Sequence, residues 1–493
     1  RDRANATAEQ IMEYLMGKDN FGISSKYDGD LAYRIVVVRY AMLGNRFARY
    51  KEVKIATDVS DKTVAYVNEH MDTLSGISVN EDMIRKYNYS EYFSSIIGYT
   101  GPISESEYTA LHKKNKDYTQ NDTVGKAGLE QYYETYLRGK NGEQKFYIDN
   151  VGRISEIISS TDSVAGDDLY LSIDVDLQKA TYLALQNEIA AIVYSNIKSG
   201  EIPINDVYTA LIGNSVINTE HFSKAKASDT EKNVLSVFKS RQKTTLGKIK
   251  QELTSSPEAL NTMSDEVLDE FTYIISMLKD DQVLLKNEID TSDSVYQKWK
   301  NQKISPKEYL SYCITQHWID ISQLNVDEKY ADSTEVYDAL CKYILKNIKT
   351  DTEFSKIIYQ YMITRGEISP RQLCLILFDQ GVLDYDDATV NKLKNGSLSP
   401  RDFLMKKIYN IEITPAQLAL EPCTGSCVVT DEKTGEIRAM VSYPGYDSNK
   451  LANGVDSEYF ASLQHDKSSP LLNYATQQKT APGSTFKLVS ATA

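Results

Sequence analysis

The chain has 493 residues, 41% of them hydrophobic, and its 69 aspartates and glutamates outnumber 55 lysines and arginines, for a formal net charge of −14. That length supports two to four domains at about 100–200 residues each, and the acidic balance argues against nucleic acid as a partner. No apolar run approaches the roughly 20 residues of a membrane-spanning helix, and no signal peptide opens the chain.

Ser60 precedes Asp61–Met71, where Val64 and Val67 share a face, so a capped helix is expected there, followed by a short strand at Gly76-Ile77-Ser78-Val79. Ile96-Ile97-Gly98-Tyr99-Thr100-Gly101 comes next, then a glycine-rich stretch from Gly125 to Gly128 whose spacing fits neither a Walker loop nor a dinucleotide loop. Leu129, Tyr132 and Tyr136 recur at helical spacing. Gly139-Lys140-Asn141-Gly142 closes that helix before a strand through Phe146 and Ile148. Residues 1–165 read as one α+β module.

Leu169 to Ile173 reads as a strand and Asp174 to Ala180 as the start of a helix. From Asn196 to Thr414 glycine is sparse, and Leu, Lys, Glu and Tyr recur at helical spacing, so residues 196–414 form an all-α stretch. Three helix starts share one signal: Ile304-Ser305-Pro306-Lys307, Ile368-Ser369-Pro370-Arg371 and Leu398-Ser399-Pro400-Arg401. Each sets serine at the N-cap and proline at the first helical position, with an apolar residue before them to staple the turn. Their unequal intervals argue against a regular solenoid. A partner-binding surface and plain packing both fit this stretch.

Gly425 to Pro444 reads as a β-hairpin, with Ile437, Ala439 and Val441 alternating with Arg438 and Met440 and the turn at Asp431–Gly435. Near the C-terminus stands Ala481-Pro482-Gly483-Ser484-Thr485-Phe486-Lys487. Residues at i and i+3 of a helix share a face, so the Lys487 amine reaches the Ser484 hydroxyl and serves as its base. A first-turn serine also sits at the positive end of the helix dipole, which favours an oxyanion. Ser-x-x-Lys recurs at Ser195, Ser223, Ser236, Ser240 and Ser276. Only Ser484 has a Pro-Gly turn before it and the apolar residues Leu488, Val489 and Ala491 behind it. The competing reading makes Ser484 an N-cap and Lys487 a solvated first-turn residue.

Cys313, Cys341, Cys374, Cys423 and Cys427 match no disulfide framework and no zinc spacing, so they read as small buried hydrophobes and no metal is assigned. The chain starts at Arg1 and its last residue, Ala493, falls inside the helix carrying Lys487. Both ends read as cut, so the lack of an anchor says nothing of the complete protein.

The segment from Pro470 through Lys487, with the hairpin before it, resembles the active-site serine region of penicillin-binding proteins. The stretches at Ile96–Gly101 and Gly125–Gly139 resemble the non-catalytic pedestal of the class B members, and Leu169–Ala180 the opening of their transpeptidase domain. The resemblance covers residues 1–190 and 416–493. It implies an α+β fold in four parts: a pedestal (dimerisation-type) domain at 1–165, the start of an antiparallel-sheet transpeptidase domain at 166–195, a helical insertion at 196–414, and a further, truncated part of the transpeptidase domain at 415–493. It implies a cell-wall D,D-transpeptidase, with Ser484 as nucleophile and backbone oxyanion donor and Lys487 as general base, needing no cofactor. Implied partners are peptidoglycan stem peptides, β-lactams and a membrane glycosyltransferase. The implied location is the extracytoplasmic face of the membrane, held by a single N-terminal anchor.

In that family Ser-x-Asn and Lys-Thr-Gly motifs follow the serine. Ser78-Val79-Asn80 and Lys433-Thr434-Gly435 precede it here, so both are excluded from the site. A class A enzyme would carry glycosyltransferase signatures upstream, and a β-lactamase would have no pedestal. The remaining alternative is a non-catalytic penicillin sensor or cell-wall scaffold. Two further expectations follow: Ile192 and Thr414 lie close in space, and residues 416–493 are loosely ordered.

Overall fold

The computed structural model describes residues 8–24, 26–44, 53–56, 59–74, 76–77, 79, 84–148, 154–255, 258–324, 326 and 332–492. They fall into two compact units, one of residues 1–87, 98–170 and 452–454, the other of residues 88–97, 171–451 and 455–493. The fold is α+β, with three two-stranded antiparallel sheets among many helices.

The first unit begins with helices α1 (Ala8–Met16), α2 (Gly29–Gly44) and α3 (Asp61–Glu69). Ser60 caps α3 by accepting the Thr63 N–H, as expected, although the helix ends two residues earlier than the sequence suggests. Gly76 and Ile77 lie in no strand, and Ser78 and Asn80 fall outside the described residues. The chain passes into the second unit for α4 (Ser90–Ile97) and returns. Strand β1 (Thr100–Pro102) then pairs with β2 (Thr123–Gly125), joined through α5 (Glu105–Lys114) and its Ser104–Glu107 capping box.

The single helix expected after Gly128 is two short ones, α6 (Gly128–Tyr132) and α7 (Glu134–Leu137), and it turns the other way. Tyr132 and Tyr136 are 79% and 61% exposed, whereas Glu130 and Glu134 are buried. Glu130 holds the Arg85 guanidinium through two 3.1 Å contacts and accepts the Tyr87 hydroxyl at 3.2 Å. Glu134 accepts the Gly125 N–H at 2.7 Å and the Tyr118 hydroxyl at 3.2 Å. Buried carboxylates persist only when bonded in this way, so polar satisfaction overrode the apolar spacing. Burial, and Glu130 beside it, push the Tyr87 hydroxyl up to about 12. The ribbon β3 (Glu143–Ile148) and β4 (Ile154–Thr161) follows, with two register shifts.

The second unit is organised on α8 (Val175–Ser199), a 25-residue helix capped by Asp174. Ten helices come after it: α9 (Ile204–Gly213), α10 (Asp229–Thr254), α11 (Asp265–Asp280), α12 (Ser294–Lys300), α13 (Pro306–Thr315), α14 (Ser333–Ile348), α15 (Thr352–Thr364), α16 (Pro370–Asp379), α17 (Asp387–Asn395) and α18 (Pro400–Tyr409). One core joins them, through residues such as Leu211, Ile274, Leu310, Ile344, Ile358 and Leu404. Ser305, Ser369 and Ser399 cap α13, α16 and α18 with proline at the first position, as the sequence signal requires. A further start of this kind, Thr414-Pro415, opens α19 (Pro415–Leu418).

These starts belong to a larger recurring corner. Left-handed residues Gly200, Gln302, Gly366 and Gly396 open four segments, and Ser215, His317, Gly381 and Ile411 close them, each the same distance on. Within each segment the same place along the helix is buried, at Val207, Tyr309, Leu373 and Phe403. The exits bury Ile217, Ile319, Leu383 and Ile413 in turn. N–H groups at the exits fold back onto the last helical carbonyls, as from Ile217 to Leu211 (2.7 Å) and Leu383 to Leu377 (3.1 Å), closing each helix in Schellman fashion. The corners repeat, but at irregular intervals, so they turn the chain without stacking it into a solenoid.

After α19, β5 (Gly425–Thr430) and β6 (Ile437–Tyr443) form the expected hairpin, followed by α20 (Ser457–His465) and a short α21 (Lys487–Thr492). Four of the five cysteines are buried and Cys427 is half-buried, all as free thiols. No described helix is long and apolar enough to cross a membrane.

Candidate active site

The hairpin lies on the first half of α8. Tyr182 and Ile189 pack with Ala416, Val441 and Tyr443 in a small core separate from that of the helical stretch. Ala416 therefore stands beside Ile189, which brings the two ends of the 196–414 stretch together. Gln178 is fully buried and pairs with the backbone of Met440 as a neighbouring strand would. Its Oε1 accepts the Met440 N–H (2.8 Å), and its Nε2 donates to the carbonyls of Met440 (3.0 Å) and Tyr92 (2.8 Å).

The strand expected at Leu169–Ile173 does not form. Instead the Asp174 N–H donates to the Arg438 carbonyl of β6 (2.9 Å), Ser172 Oγ donates to the Ile437 carbonyl (2.8 Å), and Arg438 Nη1 donates to the Ser172 carbonyl (3.4 Å). Asp174 then caps α8 through the Leu177 N–H (2.8 Å), and the chain turns into the helix.

Beyond β6 the chain is tied down step by step. A Cβ at Gly445 would meet the Glu91 carbonyl at 1.8 Å, so only glycine fits there. The Gly445 N–H donates to the Tyr182 hydroxyl, which in turn donates to Glu91, each at 3.2 Å. Burial, then the Glu91 charge, hold the Tyr182 hydroxyl well above the usual phenol range. Ser90 Oγ donates to Asp447 at 2.7 Å, and the Tyr446 N–H to Ser94 Oγ at 3.0 Å. Further on, Ser442 Oγ donates to the Leu472 carbonyl (3.3 Å) and accepts the Tyr474 N–H (2.9 Å), while Asn473 Nδ2 donates to the Ser95 carbonyl (3.0 Å). Against the expectation of a loosely ordered 416–493, residues 442–447 and 472–474 hydrogen-bond to α4, α8 and the hairpin.

Residues 481–492 are exposed throughout. Gly483 takes φ 56° and opens a 3₁₀ turn over Gly483–Phe486, from which α21 continues at Lys487. Ser484 therefore sits in a 3₁₀ turn rather than in the first turn of an α-helix. Side chains at i and i+3 of a 3₁₀ turn eclipse, so Ser484 and Lys487 still face the same way, although no hydrogen bond joins them among the described residues. The second residue of such a turn has no internal acceptor for its N–H, which leaves the Ser484 amide free to donate. Ser195, Ser236, Ser240 and Ser276 lie within α8, α10 and α11, where the helix ladder uses the amides, and Ser223 lies in a short 3₁₀ turn. Lys433 is exposed at the hairpin turn, where Asp431 accepts the Lys433 and Thr434 N–H groups.

The family model for the penicillin-binding protein dimerisation domain matches residues 1–171, and that for the penicillin-binding protein transpeptidase domain matches residues 425–493. The chain belongs to the class B penicillin-binding proteins. Curated relatives include the peptidoglycan D,D-transpeptidase MrdA of Salmonella typhimurium LT2, 29% identical over 31% of this chain and 25% of that protein. Penicillin-binding protein 2A of Bacillus subtilis is 35% identical over 27% of this chain and 19% of its own length. Escherichia coli K12 MrdA is 27% identical over 32% and 25%. The match thus spans about a quarter or less of each relative's length. In this penicillin-binding protein the sequence pointed to Ser484 and Lys487 but missed Gln178, Tyr182 and Gly445, which hold the hairpin. Their signal was polar residues at every fourth position of α8, Gln178, Tyr182 and Gln186, all of which the fold buries.

Proposed function

We propose that the complete protein is a peptidoglycan D,D-transpeptidase of the extracytoplasmic membrane face, acting beside a membrane glycosyltransferase. Residues 1–165 serve as pedestal, 166–195 and 415–493 belong to the transpeptidase domain, and 196–414 are an insertion. Ser484 Oγ attacks the carbonyl of the penultimate D-Ala of a stem peptide, and its proton passes to the Lys487 amine. The Ser484 N–H is one donor to the oxyanion. The bond to the terminal D-Ala breaks as that leaving amine takes a proton, and an amine of a neighbouring strand then takes the acyl group from the serine. β-Lactams acylate the same oxygen.

What supports this reading is that Ser484 lies in the turn behind Gly483 with Lys487 three residues on, at the start of α21, a spacing that sets both on one side, and that it alone of the six Ser-x-x-Lys sequences has a Pro-Gly entry. The test uses protein with a complete transpeptidase domain and a fluorescent penicillin. Ser484→Ala abolishes covalent labelling, and Lys487→Ala slows it by about 10² to 10⁴. Labelling that survives Ser484→Ala overturns the assignment. Labelling without turnover of a stem-peptide donor makes the protein a sensor instead.

A further inference from the structure

Helix α10 presents a basic ridge in an acidic protein. Between Glu231 and Glu252 its sequence holds Lys232, Lys239, Arg241, Lys243, Lys248 and Lys250 and no carboxylate. At 3.6 residues per turn, Lys232, Lys239, Lys243 and Lys250 fall within about 40° of one another and extend over about 27 Å. All four are exposed, and none of their ammonium groups pairs with a carboxylate among the described residues. Arg241 lies on another face and is spent on Glu266 and Glu367. Lys239 and Lys243 stand at i and i+4, a repulsive spacing that a helix selected for stability alone would relieve with glutamate. Exposed Lys349 flanks the ridge, since Gln242 Nε2 donates to its carbonyl at 3.0 Å.

We propose that this ridge binds a linear phosphodiester polyanion of the poly(glycerol phosphate) kind. One side of the row is flanked by Ser236, Gly247 and Ser240, and the other by Leu246 and Leu235. The apolar residues of α10, such as Leu235 and Leu246, pack instead onto the core. A helix that lies on a membrane inserts aromatic or aliphatic side chains, and the two leucines beside this row are half-buried against the core instead. The row also lacks aromatic rings on which the bases of a single-stranded nucleic acid could stack, and the aromatic anchors of a protein interface. What remains is a row of flexible cations one helix wide, matched to a flexible chain of regularly spaced anions. The inference does not rest on the acyl-transfer reading.

The test is fluorescence anisotropy of the full chain with a labelled poly(glycerol phosphate) oligomer. Four neutralised charges give a log–log salt slope near −3, a loss of about 50-fold between 50 and 200 mM salt. The variant K232Q/K239Q/K243Q/K250Q loses at least about tenfold in affinity at 50 mM salt, whereas K232R/K239R/K243R/K250R retains it. K286Q/K298Q/K392Q/K394Q changes the net charge equally at exposed lysines elsewhere and stays within about twofold. Equal loss in that control, tighter binding of an oligothymidylate, or binding only to phosphatidylglycerol vesicles and not to the soluble polymer each overturns the proposal. Circular dichroism confirms that every variant is folded.

Discussion

Replacing Gln178 by leucine tests whether a side-chain amide, rather than a third strand, holds the outer edge of β6. Leucine has nearly the volume of glutamine, so no large cavity opens. It leaves three groups without their partners: the Met440 N–H, the Met440 carbonyl and the Tyr92 carbonyl. Each buried, unsatisfied group costs about 1–3 kcal/mol, so the variant loses about 3–6 kcal/mol after partial relaxation. At 1.36 kcal/mol per factor of ten, amide hydrogen exchange across Ile437–Tyr443 speeds up by about two to four orders of magnitude. Exchange in α13 and α16 is unchanged, because their core does not include Gln178. Mass spectrometry of peptic fragments reads both regions in one experiment. Acceleration of less than about fivefold in β6 would refute the reasoning and make the Gln178 bonds incidental.

Both tryptophans, Trp299 and Trp318, lie in the helical stretch, so their fluorescence follows its urea unfolding without interference from elsewhere. Burial, then the neighbouring Glu266 carboxylate, raise Glu270 to about 8. The folded state therefore keeps a proton that the unfolded chain releases near pH 4.3. Its contribution to stability is present below that value and is lost as pH rises to about 8. Glu270→Gln flattens this dependence, and an unchanged fall between pH 5 and 8 would count against it. Ile411 occupies a left-handed conformation that Gly381 fills in the sister corner, and its side chain is not part of the core. The left-handed penalty of about 1–2 kcal/mol for a side chain, less the added flexibility of glycine, predicts that Ile411→Gly stabilises by about 0.5–1 kcal/mol. A lower urea midpoint would sink that prediction.

The helical stretch was legible because its signals are local. Serine or threonine before proline specifies a helix start whatever lies around it, and Ser305, Ser369 and Ser399 all behave so. The hairpin was legible from its alternation, and Ala439 and Val441 are buried as that requires. Errors arose where non-local bonding decided the outcome. Glu130 and Glu134 went inside because Arg85, Tyr87, Tyr118 and the Gly125 N–H await them, and no window around α6 reveals those partners. The strand before Asp174 failed although Asp174 itself bonds the Arg438 carbonyl, because the segment's contacts with β6 stop there, and no local window reports that. At the candidate site the residue pair was readable, while the 3₁₀ geometry that places Ser484 ahead of α21 was not, since Pro-Gly entries serve both kinds of turn.

Helix α8 is shared property. Its first half belongs to the core of the hairpin through Tyr182 and Ile189, and its second half to the core of the helical stretch through Val193 and Ile197, one turn further on. The boundary between the two cores therefore runs through the middle of a rigid rod about 37 Å long, with no linker to absorb motion. A ligand that tilts the helical stretch tilts the platform on which β6 rests. A cut at Asn196 would leave Val193 and its neighbours without the core they pack on, so excision has to begin after Ile189 and end before Ala416, both of which the hairpin's core keeps.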